Sequence, residues 1–153
     1  MRVYLAGPLF TAAERAFNVR LRDLLVASGY EVWLPQDHEP RDKGPAAIFR
    51  KDVEGIEWCD VVVANMDGPD PDSGTSWECG YAYQKKKIVL YRTDLRGGGE
   101  VRNPFNLMLS ASADYVLKIA PFSSVESVAQ QLRSALERIG EERSGHRLAR
   151  RRA

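Results

Sequence analysis

Short apolar segments alternate with amphipathic segments along most of this chain, and this alternation limits the folds that it can adopt. The segment Val61-Val62-Val63-Ala64 is apolar throughout, which indicates a strand that is buried on both faces. On either side of it, apolar residues recur every three or four positions, which is the period of an α-helix. Strands that alternate with helices predict a parallel sheet covered on both faces. We therefore predict an α/β fold, a single-domain flavodoxin-like or Rossmann-like doubly wound parallel sheet of five strands.

The predicted elements follow one another in a regular order. Strands are expected at residues 2–6, 30–34, 60–65, 87–91 and 115–119. Helices are expected at residues 14–28, 46–58, 76–85, 105–112 and 124–139. Ligands of such sheets bind beyond the carboxyl ends of the strands, so the loops that begin at residues 7, 36, 66 and 93 should form the site. In the last of these loops, Gly97-Gly98-Gly99 predicts a flexible loop rather than a phosphate cradle.

The composition argues against several other classes of protein. The chain has 153 residues, which suits one domain with its own core. No apolar run approaches the roughly 20 residues of a membrane span, and the N-terminus carries no apolar signal segment. Two cysteines are too few for a disulfide framework or a cysteine zinc site, and the two histidines lack metal-ligand spacing. We therefore expect a cytoplasmic protein with no metal site, no cofactor and no membrane partner.

The positive charge of the chain is concentrated at its C-terminal end. The last residues include Arg143, Arg147, Arg150, Arg151 and Arg152. Without these five, 17 of the 22 basic residues remain against 21 acidic residues, which leaves a charge of −4. An acidic body argues against a nucleic-acid platform, which needs a basic face. We expect residues 1–140 to form the domain and residues 141–153 to be a basic, disordered tail.

One polar stretch carries two carboxylates close together. It runs Asp72-Ser73-Gly74-Thr75-Ser76-Trp77-Glu78 and leads into a predicted helix, with Glu78 in its first turns. Two carboxylates at one loop-to-helix junction suit the cleavage of a glycosidic bond, where one stabilises or traps the sugar cation and the other moves a proton. The alternative is that Glu78 only complements the helix dipole and that Asp72 only forms a turn.

Four separated segments together resemble the nucleoside 2-deoxyribosyltransferase family. They are residues 4–10 (YLAGPLF), 52–56 (DVEGI) with 59–64 (CDVVVA), 71–82 (PDSGTSWECGYA) and 104–109 (PFNLML). The resemblance covers about residues 2–120. Members of this family exchange the base of a 2-deoxynucleoside through a covalent deoxyribosyl-enzyme intermediate. The resemblance therefore implies a transferase whose partners are a 2-deoxynucleoside and a free nucleobase, not nucleic acid.

The resemblance also implies roles for the matching acidic and phenolic residues. Glu78 would be the nucleophile that attacks C1 of the sugar, and Tyr4 would hydrogen-bond to it and orient it. Asp72 and Asp52 would contact the sugar hydroxyl and the base, and one of them would protonate the leaving nitrogen. We expect repulsion among the three carboxylates to raise the pKa of one acid, and the phenol of Tyr4 to keep Glu78 ionised.

The remaining substrate-binding residues are assigned in the same way. Asn106 would bind the 5-hydroxyl and Met108 would line the pocket, both in the site of a neighbouring subunit. The resemblance therefore implies a homo-oligomer that is based on dimers and could reach a hexamer. Glu39, after the second strand, would read the base. Further pocket residues would be Gly7, Pro8, Phe10, Gly74 and Trp77.

Two other functions remain open from the sequence. An N-glycoside hydrolase of deoxynucleosides or their monophosphates would use the same glutamate. The loop Gly7-Pro8-Leu9-Phe10 contains no Ser or Arg to hold a phosphate, which disfavours the monophosphate. A non-catalytic nucleotide-binding module is the second alternative. It predicts that the acids are lost, yet Glu78, Asp72 and Asp52 are all present.

Overall fold

The computed structural model of the chain describes residues 1–40, 44–96 and 105–150. Its strands are β1 (Arg2–Ala6), β2 (Glu31–Trp33), β3 (Val61–Asn65), β4 (Lys87–Arg92) and β5 (Tyr115–Lys118). Its α-helices are α1 (Ala12–Ala27), α2 (Pro45–Trp58), α3 (Ser73–Ala82), α4 (Leu107–Ser112) and α5 (Val125–Arg150). A short 3-10 helix, Pro35–Asp37, follows β2. The predicted glycine loop at residues 97–99 lies outside the described residues.

The five strands form one parallel sheet in the order β2-β1-β3-β4-β5. This is the flavodoxin-like order, in which the chain reverses its direction of progress at β1 and β3. The prediction of an α/β fold with a five-stranded doubly wound parallel sheet is therefore confirmed. None of the helices in the part of the chain described here is both long and apolar enough to cross a membrane.

Two hydrophobic cores lie on opposite faces of the sheet, because successive strand residues point to opposite faces. One core packs α1 and α5 against the sheet and includes Leu25 and Leu136. The other packs α2 and α3 against the sheet and includes Ile56, Cys79 and Tyr4. A phenol therefore lies within the second core, and its hydroxyl needs a hydrogen-bond partner there.

The boundaries of all five α-helices differ by at least one residue from those predicted, and the differences at α3 and α5 are the largest. Helix α3 begins at Ser73 and not at residue 76, because the side chain of Asp72 accepts a hydrogen bond from the backbone of Thr75 and caps the helix. Helix α5 continues to Arg150 and does not end at Ile139. The Glu and Arg residues that follow Ile139 favour helix and outweigh Gly140. The backbone is thus helical through most of the segment expected to be a disordered tail.

Gly55 lies where α2 packs against Trp33 of β2. A Cβ atom at Gly55 would lie 2.5 Å from Nε1 of Trp33, closer than packed atoms approach. We predict that Gly55→Ala lowers the free energy of unfolding by about 1–3 kcal/mol, because the helix or the indole must move. Denaturant unfolding monitored by circular dichroism measures this change.

Gly140→Ala in α5 is the matched control. Its added carbon would lie 3.4 Å from the flexible end of Met1, which is ordinary contact. We expect this variant to gain up to about 1 kcal/mol, because alanine favours helix over glycine. A Gly55→Ala variant as stable as the wild type would contradict the packing of α2 on Trp33.

Candidate active site

The centre of the site is a hydrogen bond between the sheet and helix α3. Tyr4 of β1 is fully buried. Its hydroxyl donates to Oε1 of Glu78 on α3 at 2.5 Å. Glu78 itself is half-buried. It lies on α3 between Thr75 and Cys79, whose side chains are buried. The bond fixes the direction of the Glu78 carboxylate relative to the sheet.

Burial controls the charge of this glutamate. The pKa of Glu78 is raised to about 7, because burial and the nearby charges of Asp52 and Asp72 raise it more than the hydrogen bond from Tyr4 lowers it, and burial is the main cause. Burial also raises the pKa of Asp52. The pKa of Tyr4 is also raised, mainly by burial, so the phenol keeps its proton and remains a hydrogen-bond donor. The expected repulsion among the carboxylates does raise the pKa of Glu78, although burial is the larger cause, and the hydrogen bond from Tyr4 lowers the pKa as expected without offsetting burial.

Asp72 has a structural task at the start of α3. Its Oδ2 accepts from the backbone N–H of Thr75 at 2.8 Å and from the Thr75 hydroxyl at 3.0 Å. A Cβ atom at Gly74 would lie 3.1 Å from the same Oδ2, so glycine leaves room for the cap. The charge of Asp72 also raises the pKa of Glu78, so the same carboxylate caps α3 and belongs to the carboxylate cluster. The turn interpretation and the site interpretation of Asp72 are thus compatible.

Asp52 borders a cavity of about 250 Å³ between α2 and the loop after β2, named here the α2 cavity. Its walls are formed by Leu9, Pro35, Gln36, His38, Glu39, Pro40, Ile48, Lys51 and Asp52. The fold thus brings Glu39 and Asp52, which are distant in sequence, to one cavity. Glu39 also forms an ion pair with Arg15 of α1 at 2.8 Å. This pair ties the loop after β2 to the first helix.

Asn106 and Met108 border a different cavity, of about 710 Å³, between α3 and α4, named here the α3–α4 cavity. Neither Tyr4 nor Glu78 lines this cavity. The side-chain oxygen of Asn106 accepts from the backbone N–H of Met108 at 2.8 Å and caps α4. Met108 is 78% exposed. None of the three carboxylates, Asp52, Asp72 and Glu78, is among the residues that line this cavity.

One part of the loop after β1 packs against the domain, and the other part is exposed. A Cβ atom at Gly7 would lie 3.1 Å from the side chain of Asn65, and the Pro8 carbonyl accepts from the amide of Asn18 at 3.0 Å. Phe10 is 76% exposed. The backbone N–H of Phe10 donates to Glu14 of the capping box that starts α1. The glycine and proline are therefore fixed against the domain, whereas the phenylalanine side chain projects outwards.

The Trp77 side chain is partly exposed on the surface formed by α2 and α3. It is 45% exposed, stacks on Tyr81 with ring centroids 5.2 Å apart, and lies 5.2 Å from the Phe49 ring of α2. Trp77 therefore forms an exposed aromatic surface across α2 and α3.

Sequence reasoning missed the residues that hold the loops in place. Asp67 accepts from the backbone N–H groups of Thr93 and Asp94 at 2.6 Å and 2.8 Å. Buried Arg92 donates to the carbonyls of Met66 and Gly68 at 3.0 Å and 2.7 Å. Together they join the loops after β3 and β4. The only sequence signal was a charge at the end of an apolar strand, and it does not reveal these partners.

No group of three His, Cys, Asp or Glu side chains in residues 1–40, 44–96 and 105–150 converges to hold a metal ion. The chemistry available at the described residues is that of carboxylates, a phenol and an ammonium group. Such groups can attack a sugar carbon, stabilise a cationic transition state and transfer protons.

A protein-family comparison decides the affiliation of the chain. The family model for nucleoside 2-deoxyribosyltransferase matches residues 3–108, which is more than half of the chain. The chain belongs to this family. The resemblance noted from the four segments is therefore confirmed. A comparison with curated protein sequences gives no match.

Solved structures agree with this affiliation. A 2-deoxyribosyltransferase from Bacillus psychrosaccharolyticus is 25% identical with a TM-score of 0.65, over 84% of this chain and 90% of that one. A 2-deoxyribosyltransferase from Leishmania mexicana is 27% identical with a TM-score of 0.60, over 75% and 89%. A CMP N-glycosidase from Clostridium botulinum shares the fold at 23% identity, with a TM-score of 0.61 over 86% and 98%.

The raised pKa of Glu78 predicts a pH-dependent stability. A carboxyl whose pKa rises from 4.5 in the unfolded chain to about 7 in the folded one binds its proton more tightly when folded, so stability falls as the pH rises through this window. Glu78→Gln removes this effect. It should match the wild type below pH 4.5 and gain about 1–3 kcal/mol in the free energy of unfolding above pH 7.

Glu57→Gln provides a control of opposite sign, measured by the same denaturant titrations. The hydrogen bonds from Tyr81 and Lys85 lower the pKa of Glu57, so its contribution is present at neutral pH and is lost in acid. This variant should be less stable than the wild type at pH 7 and equal to it in acid. If Glu78→Gln followed the wild type at every pH, the buried-carboxylate account would be wrong.

Proposed function

We propose that the protein transfers 2-deoxyribose between nucleobases by a retaining double displacement through a covalent deoxyribosyl-Glu78 intermediate. The observation that carries the proposal is the half-buried Glu78 carboxylate, held by the Tyr4 hydroxyl at 2.5 Å and close to Asp52 and Asp72. Membership of the nucleoside 2-deoxyribosyltransferase family supports the same reaction class.

In the first half-reaction, Oε2 of Glu78 attacks C1 of the sugar while the bond from C1 to the base nitrogen breaks. Tyr4 holds Oε1, which aims the other oxygen at the substrate. The departing base takes the bonding electron pair and a proton, and Asp52, with its raised pKa, is the acid assigned to supply that proton. Asp72 is assigned to a sugar hydroxyl. The products are a free base and a glycosyl ester of Glu78.

In the second half-reaction, a nitrogen of the incoming base attacks C1 from the face that the first base left. The C1–Oε2 bond breaks, Glu78 recovers its carboxylate, and Asp52 takes the proton of the incoming base. Two inversions give net retention at C1. Raising the pKa of Glu78 to about 7 makes its ionised form a stronger nucleophile than an ordinary carboxylate, and the exchange therefore needs a pH at which Glu78 is ionised.

The complete site would contain residues from two subunits. Asn106 and Met108 line the α3–α4 cavity, which Glu78 of the same chain does not line, and Met108 and Leu107 are 78% and 62% exposed. An exposed apolar surface of this kind favours association with another protein surface. We propose that a dimer-based homo-oligomer inserts Asn106 and Met108 into the neighbouring site, where Asn106 binds the 5-hydroxyl.

Hydrolysis of the same bond is the second candidate function. Phe10, Trp77 and Met108 were assigned to walls of the site, yet each is exposed in the single chain. If no neighbouring subunit covers them, water reaches the glycosyl ester and competes with the incoming base. The transfer reaction therefore depends on the oligomer, whereas the hydrolase does not.

A two-base exchange assay distinguishes these functions. The protein is incubated with deoxyinosine plus adenine, and separately with thymidine plus adenine, and products are separated by chromatography. New deoxyadenosine supports transfer, and free base without a new nucleoside supports hydrolysis. If neither appears and the protein only binds nucleosides, the enzyme proposal is wrong.

Glu78→Ala tests the nucleophile. We predict that base exchange falls by at least about a thousandfold, because the variant lacks the carboxylate assigned to form the glycosyl ester. Intact mass spectrometry of quenched wild type should detect the added deoxyribosyl group, and the variant should show none. Glu57→Ala, on the exposed side of α2, is the matched control and should keep its activity. Normal exchange by Glu78→Ala would refute the assignment.

Mixed oligomers test whether the site is shared. Glu78→Ala and Asn106→Ala are each expected to be nearly inactive when alone. In randomly mixed dimers, half contain one of each chain, and each of these has one intact composite site, so about a quarter of wild-type activity should return. The measurement is exchange activity after co-refolding the two variants. If no activity returns although native mass spectrometry confirms mixed dimers, Asn106 does not serve a neighbouring site.

A further inference from the structure

The position of the carboxylates locates the base that is exchanged. The sugar carbon that reacts must lie at Glu78, and the leaving base must lie within reach of the acid on Asp52. On the proposed mechanism the base extends from Glu78 past Asp52, whose charge acts on the pKa of Glu78, and the α2 cavity is the space that Asp52 borders. Its volume of about 250 Å³ suits a ligand fragment of the size of a nucleobase.

Leu9 and Ile48 provide apolar walls for a flat ring in this cavity. The polar side chains of the lining differ in how far they are already engaged. The Gln36 side chain donates to the Arg15 carbonyl at 3.1 Å and accepts from Asn18 at 3.4 Å. Glu39 is paired with Arg15. The His38 ring stacks on Trp33 with centroids 3.9 Å apart.

Lys51 differs from these neighbours because it brings an ammonium group with several donors. Its Nζ donates to Glu54 at 2.8 Å and lies 5.2 Å from the centroid of the Trp33 ring. An ammonium has three N–H bonds and no acceptor, so the ion pair with Glu54 uses one of them. Among the described residues that line the α2 cavity, Lys51 is the only lysine or arginine. It is one residue after Arg50 and directly before Asp52, and its side chain is about one third exposed.

We propose that Lys51 determines base specificity, selecting nucleobases that present a carbonyl oxygen over those that present an amino group, and 6-oxopurines over adenine in particular. This inference rests on the proposed function and specifies its substrate class. Lys51 acts as a specificity-determining residue that contacts the base, and it takes no part in the transfer of the sugar.

The hydrogen-bonding pattern of the bases gives the physical reason. A 6-oxopurine presents two adjacent acceptors, the ring nitrogen N7 and the oxygen O6. When Asp52 protonates N7, the neighbouring oxygen becomes the natural acceptor for the Lys51 ammonium. Adenine presents an amino group at the same position, so two donors would face one another and the ammonium would lose a partner. Losing a hydrogen bond to a charged group lowers the specificity constant by about tenfold or more.

Lys51→Met tests the inference, because it removes the ammonium and keeps an unbranched apolar chain beside Trp33. The measurement is kcat/KM for deoxyinosine and for deoxyadenosine with a common acceptor base. The wild type should prefer deoxyinosine by about tenfold. The variant should lose about tenfold on deoxyinosine and lose little on deoxyadenosine. Lys85→Met is the matched control and should keep the wild-type ratio. The Lys85 ammonium lies over the Tyr81 ring of α3, and Lys85 is not among the residues that line the α2 cavity.

The outcomes distinguish an error about Lys51 from an error about the proposed function. If the wild type uses both nucleosides equally, or if Lys51→Met keeps the wild-type ratio, the role of Lys51 is refuted while the proposed function stands. If the wild type acts on no nucleoside, the proposed function fails and this inference fails with it. Thermal unfolding checks that Lys51→Met is folded. If it is not, Lys51→Leu, which also removes every side-chain donor, replaces it, and a wild-type ratio in that variant refutes the inference.

Discussion

The hydrogen bond between Tyr4 and Glu78 is the interaction on which the rest of the site depends. It joins the first strand to the third helix across 74 positions of sequence. A buried carboxylate without such a partner would be costly, and a buried phenol without an acceptor would be costly as well. Each group makes the burial of the other tolerable. The site is therefore built into the α2–α3 core of the domain and is not an addition on its surface.

Burial and hydrogen bonding act on Glu78 in opposite directions, and burial is the stronger. The result is a carboxylate that titrates near neutral pH, close to a second acid on α2 whose pKa is also raised. Two acids of this kind can divide the tasks of attack and proton transfer without a metal ion. The position of Asp72 at the helix cap connects this chemistry to the fold, because the same carboxylate that starts α3 also acts on Glu78.

The fold was predictable from the sequence for physical reasons, whereas the roles given to Asp52 and Tyr4 came from the family resemblance. The fully apolar β3 and the amphipathic periods around it define a parallel sheet, and such a sheet collects the loop residues at one edge. The start of α3 was not predictable, because it depends on a side-chain cap by Asp72. The partnership of Arg15 with Glu39 was not predictable either, because it joins α1 to a loop that sequence spacing does not place beside it.

The electrostatics of the site were the least predictable part. Counting three carboxylates suggests repulsion, whereas the pKa of Glu78 is set mainly by how much water the α2–α3 core removes, a property of packing that no local pattern contains. The same packing leaves Phe10, Trp77 and Met108 exposed in one chain. A glycosyl ester on Glu78 would be stable to water only when another surface covers these side chains. On the proposed mechanism, the choice between transfer and hydrolysis therefore depends on the association of subunits, because the reacting groups are the same in both.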